Sequence, residues 1–308
     1  MLVGWMLVVG WMVVPSPTHW TTPTPPASII GGEPTAMGEF DPVVAIEAAG
    51  GLCTGTLVAP DLVLTAGHCL TAVRNAEHIT VRFGPNLRRD PAVSIGARDF
   101  GVHPELCTTC KTDIHDYGFV LIDGLYSDPE GLIPPITSQD EWDETMRTGE
   151  SVTLVGYGED PDAESQRGSI GIKRKVTTTI TQLSPEGLEF FAGGGLRDSC
   201  EGDSGGPAFV QLSSGKWRLA GITSRGSSPC GDGGFYGVPY PALAWLSEAT
   251  PHNLCGEDCP DCSCLDLTPA DEEGCRCQAS PETGPGALPC VVVFAGWVLR
   301  KRRRARRG

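Results

Sequence analysis

The chain has 308 residues, with 23 Lys plus Arg against 38 Asp plus Glu and a formal net charge of -15. Its 40% hydrophobic and 20% charged residues exclude a wholly disordered chain and a polytopic membrane protein, and its acidity argues against nucleic acid as the main partner. Its 40 Gly and 26 Pro together exceed a fifth of the residues, the composition of a turn-rich all-β chain.

Residues 2–14 are an unbroken apolar run, too short to span a bilayer and of the length of a signal-peptide core, so export is expected. Residues 15–28 carry five Pro and four Thr and read as an extended pro-segment or linker. From 29 to 254 the pattern is short apolar or alternating runs broken by Gly, Pro, Asp and Asn. Strands are expected near 43–48, 55–58, 62–65, 79–83, 118–122, 152–155, 175–181, 208–212 and 219–223, a spacing that implies a sandwich or barrel. One helix is expected over 241–250, with Pro241 in its first turn and Leu243, Trp245 and Leu246 as its buried stripe. No internal repeat is present.

Past residue 254 the chain changes character. Residues 255–289 hold Cys255, Cys259, Cys262, Cys264, Cys275 and Cys277 among eight acids and one Arg, and read as an acidic, disulfide-knotted stalk and linker. Residues 290–308 bring Cys290, an apolar run over 291–299 and a basic end with seven Lys or Arg. The basic end cancels the stalk, so residues 29–254, with 15 basic and 30 acidic residues, carry the whole net charge. Thirteen Cys behind an exporting N-terminus favour disulfides. Cys255, Cys259 and Cys262 have the spacing of half a zinc ligand set, but no His accompanies them. Cys107-x2-Cys110 is expected to staple a loop, and the odd count leaves Cys290 as the natural unpaired residue.

Three segments carry chemistry: Thr65-Ala66-Gly67-His68-Cys69, Asp116-Tyr117-Gly118-Phe119 and Gly202-Asp203-Ser204-Gly205-Gly206-Pro207. A Ser flanked by Gly can expose its hydroxyl on a sharp turn beside converging N–H groups. An imidazole can deprotonate it, and a buried carboxylate can orient the imidazole. Asp113 competes with Asp116, but only Asp116 leads into a mostly apolar strand; His19, His78, His103, His115 and His252 read as spacer, surface or packing residues.

In the order His, Asp, Ser, these segments resemble the trypsin and chymotrypsin family of serine endopeptidases over 29 to about 252. Ile29-Ile30-Gly31-Gly32 resembles the family's mature N-terminus, and Gly156-Tyr157-Gly158 its Gly-Trp-Gly-like segment. The resemblance implies two six-stranded antiparallel β-barrels with a C-terminal helix. It implies Ser204 as nucleophile, His68 as general base and then acid, Asp116 as the orienting carboxylate, and the Gly202 and Ser204 N–H groups as the oxyanion hole. It implies disulfides Cys53–Cys69 and Cys200–Cys230, and activation by cleavage before Ile29, whose new ammonium would pair with Asp203. Ser28 precedes Ile29, where family zymogens carry Arg or Lys, so a maturation protease that prefers small residues is expected.

Asp198 falls at the floor of the family's specificity pocket and Gly226 and Gly234 at its walls, implying preference for Arg or Lys on the acyl side of the cleaved bond. Arg225 stands where the family often has Trp, and Glu201 near the pocket mouth; Arg225 is expected to welcome acidic residues beside the scissile bond. Glu77 is the only acid from Leu70 to Phe83, so no metal is expected, nor any cofactor. Cys290 with the apolar run and basic end resembles the C-terminal sorting tails of exported bacterial proteins, the myxobacterial kind in particular. The expected protein is a monomeric endopeptidase, secreted or on a bacterial cell surface, with protein or peptide substrates and a transient membrane contact through its tail. The alternative is a catalytically silent binding module of the same fold.

Overall fold

The computed structural model describes residues 29–89, 93–111, 114–126, 131–159, 170–256 and 259–269. The apolar run at 2–14, the spacer, Asp113, Cys275, Cys277, Cys290 and the basic end lie outside the described residues. Among the described residues there are thirteen strands, twelve of which form two closed barrels. The first comprises β2 (Val43–Ala48), β3 (Gly51–Ala59), β4 (Leu62–Thr65), β5 (Ile79–Arg82), β6 (Ser94–Val102) and β7 (Gly118–Ile122), in the order β2-β3-β4-β7-β6-β5.

The second barrel comprises β8 (Ser151–Gly156), β9 (Arg174–Leu183), β10 (Glu189–Ala192), β11 (Pro207–Gln211), β12 (Trp217–Gly226) and β13 (Gly234–Gly237), closed by the β8–β9 pairing; β1 (Glu33–Pro34) is appended to β9. All ladders between named strands are antiparallel. The expected all-β architecture of two six-stranded barrels with a C-terminal helix is therefore the one observed.

Continuous apolar strands arise where both faces are covered. In β2, Val44 and Ile46 fill the first barrel while Val43 and Ala45 join the larger core of the second; β4 and β7 divide in the same way, Val63, Val120 and Ile122 against Leu62, Leu64, Phe119 and Leu121. β9 instead alternates, with Val176, Thr178 and Ile180 inward and Thr177 and Thr179 exposed, as a barrel wall with one wet face must. The C-terminal helix α2 spans Tyr240–Ala249 and buries Tyr240, Ala242, Leu243 and Leu246; Trp245 is only half-buried. A second helix, α1 (Gln139–Thr145), was not expected. Its start has the Ser-x-x-Glu form, with Ser138 Oγ accepting from the Glu141 N–H at 3.3 Å.

The start of the Cys-rich segment is docked on the body rather than standing clear of it. Cys255–Cys262 and Cys259–Cys264 are disulfides, so these cysteines pair with each other and not with a metal. Tyr240 Oη accepts from the N–H groups of Cys264 and Leu265 at 3.0 and 3.1 Å. Gln139 exchanges two hydrogen bonds with the Asp266 backbone, and Leu254, Leu265 and Leu267 pack on the second barrel's core.

Candidate active site

The pairing of β4 with β7 sets Thr65 opposite Gly118. Because the strands run antiparallel, the exit of β4 and the entry of β7 lie at one end of the first barrel. His68 occupies the 3-10 turn Gly67–Cys69 that follows β4, and Asp116 precedes β7. His68 Nδ1 lies 2.7 Å from Asp116 Oδ2, and the His68 backbone N–H donates to Asp116 Oδ1 at 2.8 Å. Ser224 Oγ donates to Asp116 Oδ2 at 2.7 Å. Burial alone would raise Asp116, but the hydrogen bond and charge of His68 and the bond from Ser224 outweigh it and hold the carboxyl below its ordinary value.

Ser204 comes from the second barrel, on the loop before β11, and Thr54 of β3 ties that loop to the first. The Thr54 N–H donates to the Ser204 carbonyl at 2.8 Å, and Thr54 Oγ1 donates to the Gly202 carbonyl at 2.9 Å. The Thr54 carbonyl in turn accepts from Thr65 Oγ1 at 2.8 Å, two residues before Gly67-His68. Gly205, at φ +81°, approaches so closely that a Cβ there would lie 2.0 Å from Thr65 Oγ1, so only glycine allows this docking. The Ser204 hydroxyl makes no hydrogen bond to His68 among the described residues. Such contacts are often long before substrate binds.

The N–H groups of the Ser204 loop divide into two sets. Those of Asp203, Gly205 and Gly206 donate to the carbonyls of Cys200, Thr223 and Asp203. Those of Gly202 and Ser204 have no acceptor among the described residues. Gly202 lies at φ +94°, which a side chain would resist. Two free donors beside a half-buried serine form a site for a developing negative oxygen.

Asp203 is 1% exposed. Its carboxylate accepts from Gly158 N–H at 2.8 Å and Cys200 N–H at 2.9 Å and packs on Gly156 and Gly158, where any Cβ would collide with it. Burial, partly offset by those two bonds and reinforced by the Asp198 charge, pushes it up to about 7. Ile29 is also buried, at φ +47°. Its nitrogen is here an uncharged peptide nitrogen joined to Ser28, so it forms no ion pair with Asp203.

Asp198 is 1% exposed. Oδ1 accepts from Ser199 N–H at 2.8 Å, and Oδ2 from Gly231 and Gly233 N–H at 3.0 and 2.9 Å. Burial, opposed by these bonds, raises its pKa. Gly226 and Gly234 face each other across β12 and β13; a Cβ on Gly234 would lie 3.7 Å from Asp198 Oδ1, so a side chain there would cover the carboxylate. Cys200–Cys230 joins the two loops around Asp198, Cys53–Cys69 braces the His68 turn, and Cys107–Cys110 closes a loop before Asp116.

Arg225 corrects an expectation. Its guanidinium forms a bidentate pair with Glu189, both contacts at 2.8 Å, donates to the Lys111 carbonyl at 2.9 Å and lies 4.2 Å from the Phe235 ring centroid. Its charge is spent on a buried carboxylate of its own chain, so it does not stand open to acidic substrate residues. Thr54 and the role of Ser224 were not legible in the sequence. A lone Thr after Cys53 and a Ser before Arg225 carry no local signature of the contacts they make across the barrels.

A family profile described as Trypsin matches residues 29–245. Serine protease 7 of Drosophila melanogaster is 27% identical over 274 residues, covering 77% of this chain and 68% of that protein. A trypsin-like protease of Streptomyces glaucescens is 27% identical over 228 residues, covering 69% and 77%. CLIP domain-containing serine protease B14 of Anopheles gambiae is 30% identical over 261 residues, covering 68% of each chain.

Proposed function

Because this chain belongs to the trypsin family of serine endopeptidases, we propose that Ser204, His68 and Asp116 are the residues through which it hydrolyses peptide bonds. The observation that carries this assignment is the pair of unengaged N–H groups at Gly202 and Ser204. They flank a serine docked beside a histidine whose Nδ1 is already held by a buried carboxylate. His68 Nε2 takes the Ser204 proton as Oγ attacks the substrate carbonyl, and Asp116 stabilises the imidazolium. The two N–H groups hold the oxyanion, and His68 then passes the proton to the leaving amine. Water repeats the sequence on the acyl-enzyme.

Asp198 supports a preference for Arg or Lys on the acyl side of the cleaved bond. Three N–H donors leave its carboxylate lone-pair capacity to spare, since two oxygens offer about four sites. Gly226 and Gly234, paired across β12 and β13, place no side chain of their own over that carboxylate. Asp198→Ser is expected to lower kcat/KM on Arg and Lys substrates by about 10²-fold or more, the scale of a lost buried charge pair at 2–5 kcal/mol, while leaving hydrolysis of a Leu or Ala substrate within a few-fold. A fluorogenic peptide series checks this. Equal losses on all substrates would overturn the assignment.

Activation by cleavage before Ile29 is supported by the buried Asp203, which has no cation paired with it among the described residues while Ser28 remains attached. A carboxyl raised from near 4 to about 7 stabilises the fold most below pH 4 and loses that contribution as pH rises through 7. An ammonium on Ile29 would reverse this by favouring the ionised form. Thermal melts from pH 4 to 8 are expected to show the uncleaved chain losing stability over that window, by an amount on the order of a few kcal/mol. Protein starting at Ile29 is expected to lose less. Parallel profiles would sink the pairing.

Export through the apolar run at 2–14, and retention or anchoring through Cys290 and the basic end, complete the reading of a secreted or surface protease. Both segments lie outside the described residues.

A further inference from the structure

We propose that His103, Glu105 and His115 form a divalent-metal site of the Zn2+ type, one residue from Asp116. Three groups of closely spaced ligand-type side chains occur among the described residues. Two depend on cysteines already joined in Cys53–Cys69 and Cys259–Cys264, whose sulfurs are no longer thiolates. The third has all its ligand groups free of covalent bonds, with its ligand atoms within 4.8 Å of one another.

The local fold explains the convergence. β6 ends at Val102 and β7 begins at Gly118, and the chain between them doubles back. His103 N–H donates to the Tyr117 carbonyl at 2.9 Å and Cys107 N–H to the Ile114 carbonyl at 2.9 Å. The two imidazoles come to lie nearly parallel, with centroids 5.4 Å apart and planes at 13°. Glu105 Oε2 reaches to 3.9 Å from His115 Nδ1.

Two imidazoles, one carboxylate and a water complete a tetrahedral zinc shell, and this donor set does not suit Ca2+ or Mg2+. Metal–ligand bonds of about 2.0–2.2 Å place tetrahedral ligands roughly 3.3–3.6 Å apart, so Glu105 Oε2 and His115 Nδ1, at 3.9 Å, must close by a few tenths of an ångström and no pair by more than about 1.5 Å. His103 is 7% exposed and wedged by Trp245 and Tyr117, with ring centroids at 4.9 and 5.7 Å. The movement therefore falls to Glu105, whose side chain is 70% exposed, and to His115. His115 holds φ +48° and is joined directly to Asp116. A metal drawing on it moves the peptide that aims the carboxylate at His68. Turnover then slows while substrate binding is unchanged, a consequence that rests on the protease reading; the binding itself does not.

Equilibrium dialysis against Zn2+ alone, with processed wild-type protein and the variants Glu105→Gln, His115→Asn and His68→Asn, tests the site. Wild type and His68→Asn are expected to hold one Zn2+ per chain that Glu105→Gln binds about tenfold or more weakly and His115→Asn does not retain. Co2+ in its place is expected to give the strong visible absorption of a tetrahedral site. Zn2+ is expected to lower kcat and not raise KM in wild type, with Glu105→Gln resistant. Glu105 is a surface residue, so its variant remains informative even if His115→Asn misfolds. Binding by Glu105→Gln equal to wild type, or loss of the ion in His68→Asn alone, would overturn the site; bound Zn2+ with unchanged kcat would overturn the coupling to Asp116.

Discussion

Replacing Ser204 by Ala is expected to lower kcat by about 10⁶-fold, the size seen when the serine of an unrelated Ser-His-Asp protease is removed. The hydroxyl is the only atom at that turn able to form the acyl-enzyme, and the hole beside it has no function without the oxyanion it holds. What persists is the contribution of the hole and of substrate binding to direct attack by water, about 10³–10⁴-fold over the uncatalysed rate. The fold should be unaffected, because Ser204 holds the loop through its backbone carbonyl and Thr54, not through its side chain. His68→Ala is expected to cost nearly as much, and the double variant little more than either alone. Progress curves on a peptide substrate measure the loss. An organophosphonate that reacts only with an activated serine is expected to label wild type at Ser204 and leave Ser204→Ala untouched. Unlabelled, correctly processed wild-type protein would instead support the silent binding module.

Asp116→Asn is expected to lower kcat by about 10⁴-fold at neutral pH, a magnitude carried over from other proteases of this fold. The reason lies in the donors that converge on Asp116. Three hydrogen-bond donors, His68 N–H, His68 Nδ1 and Ser224 Oγ, meet a carboxylate that only accepts. An amide in its place turns one oxygen into a donor. The imidazole must then present a lone pair at Nδ1 and a proton at Nε2, where the Ser204 proton should go. The same change removes the negative charge that stabilises the imidazolium. Substrate binding is expected to be little altered, so KM should move far less than kcat. A loss of less than tenfold would show that Asp116 is not the orienting carboxylate. Ser224→Ala gives a smaller companion effect, since one donor to Asp116 is lost while the tautomer is preserved.

The structural reach of the sequence was uneven, and the reasons are physical. Nine of the strands are visible as apolar or alternating runs because two barrels packed together bury both faces of β2, β4 and β7. β6, with Gly, Arg and Asp among exposed positions, and the four-residue β10 and β13 carry no such run. α1 escaped because only Trp142 and Thr145 are buried on a seven-residue helix. Its Ser138-x-x-Glu141 cap was the one available mark. The cysteine pairs at 255–262 and 259–264 interlock, and spacing alone cannot choose among the possible connectivities.

Residue types and their order determined the chemistry: a Gly-flanked serine, a histidine at a strand end and an aspartate before an apolar strand are local facts. The site also required contacts between residues far apart in the chain. Thr54 reaches Gly202 over 148 positions, Ser224 reaches Asp116 over 108, and Arg225 is neutralised by Glu189 over 36. No periodicity encodes such pairings: the first two form where two separately closed barrels meet, and the third joins β12 to β10 within the second barrel. For the same reason the fate of a charge such as Arg225, open to substrate or spent on a buried partner, was decided only by the tertiary structure.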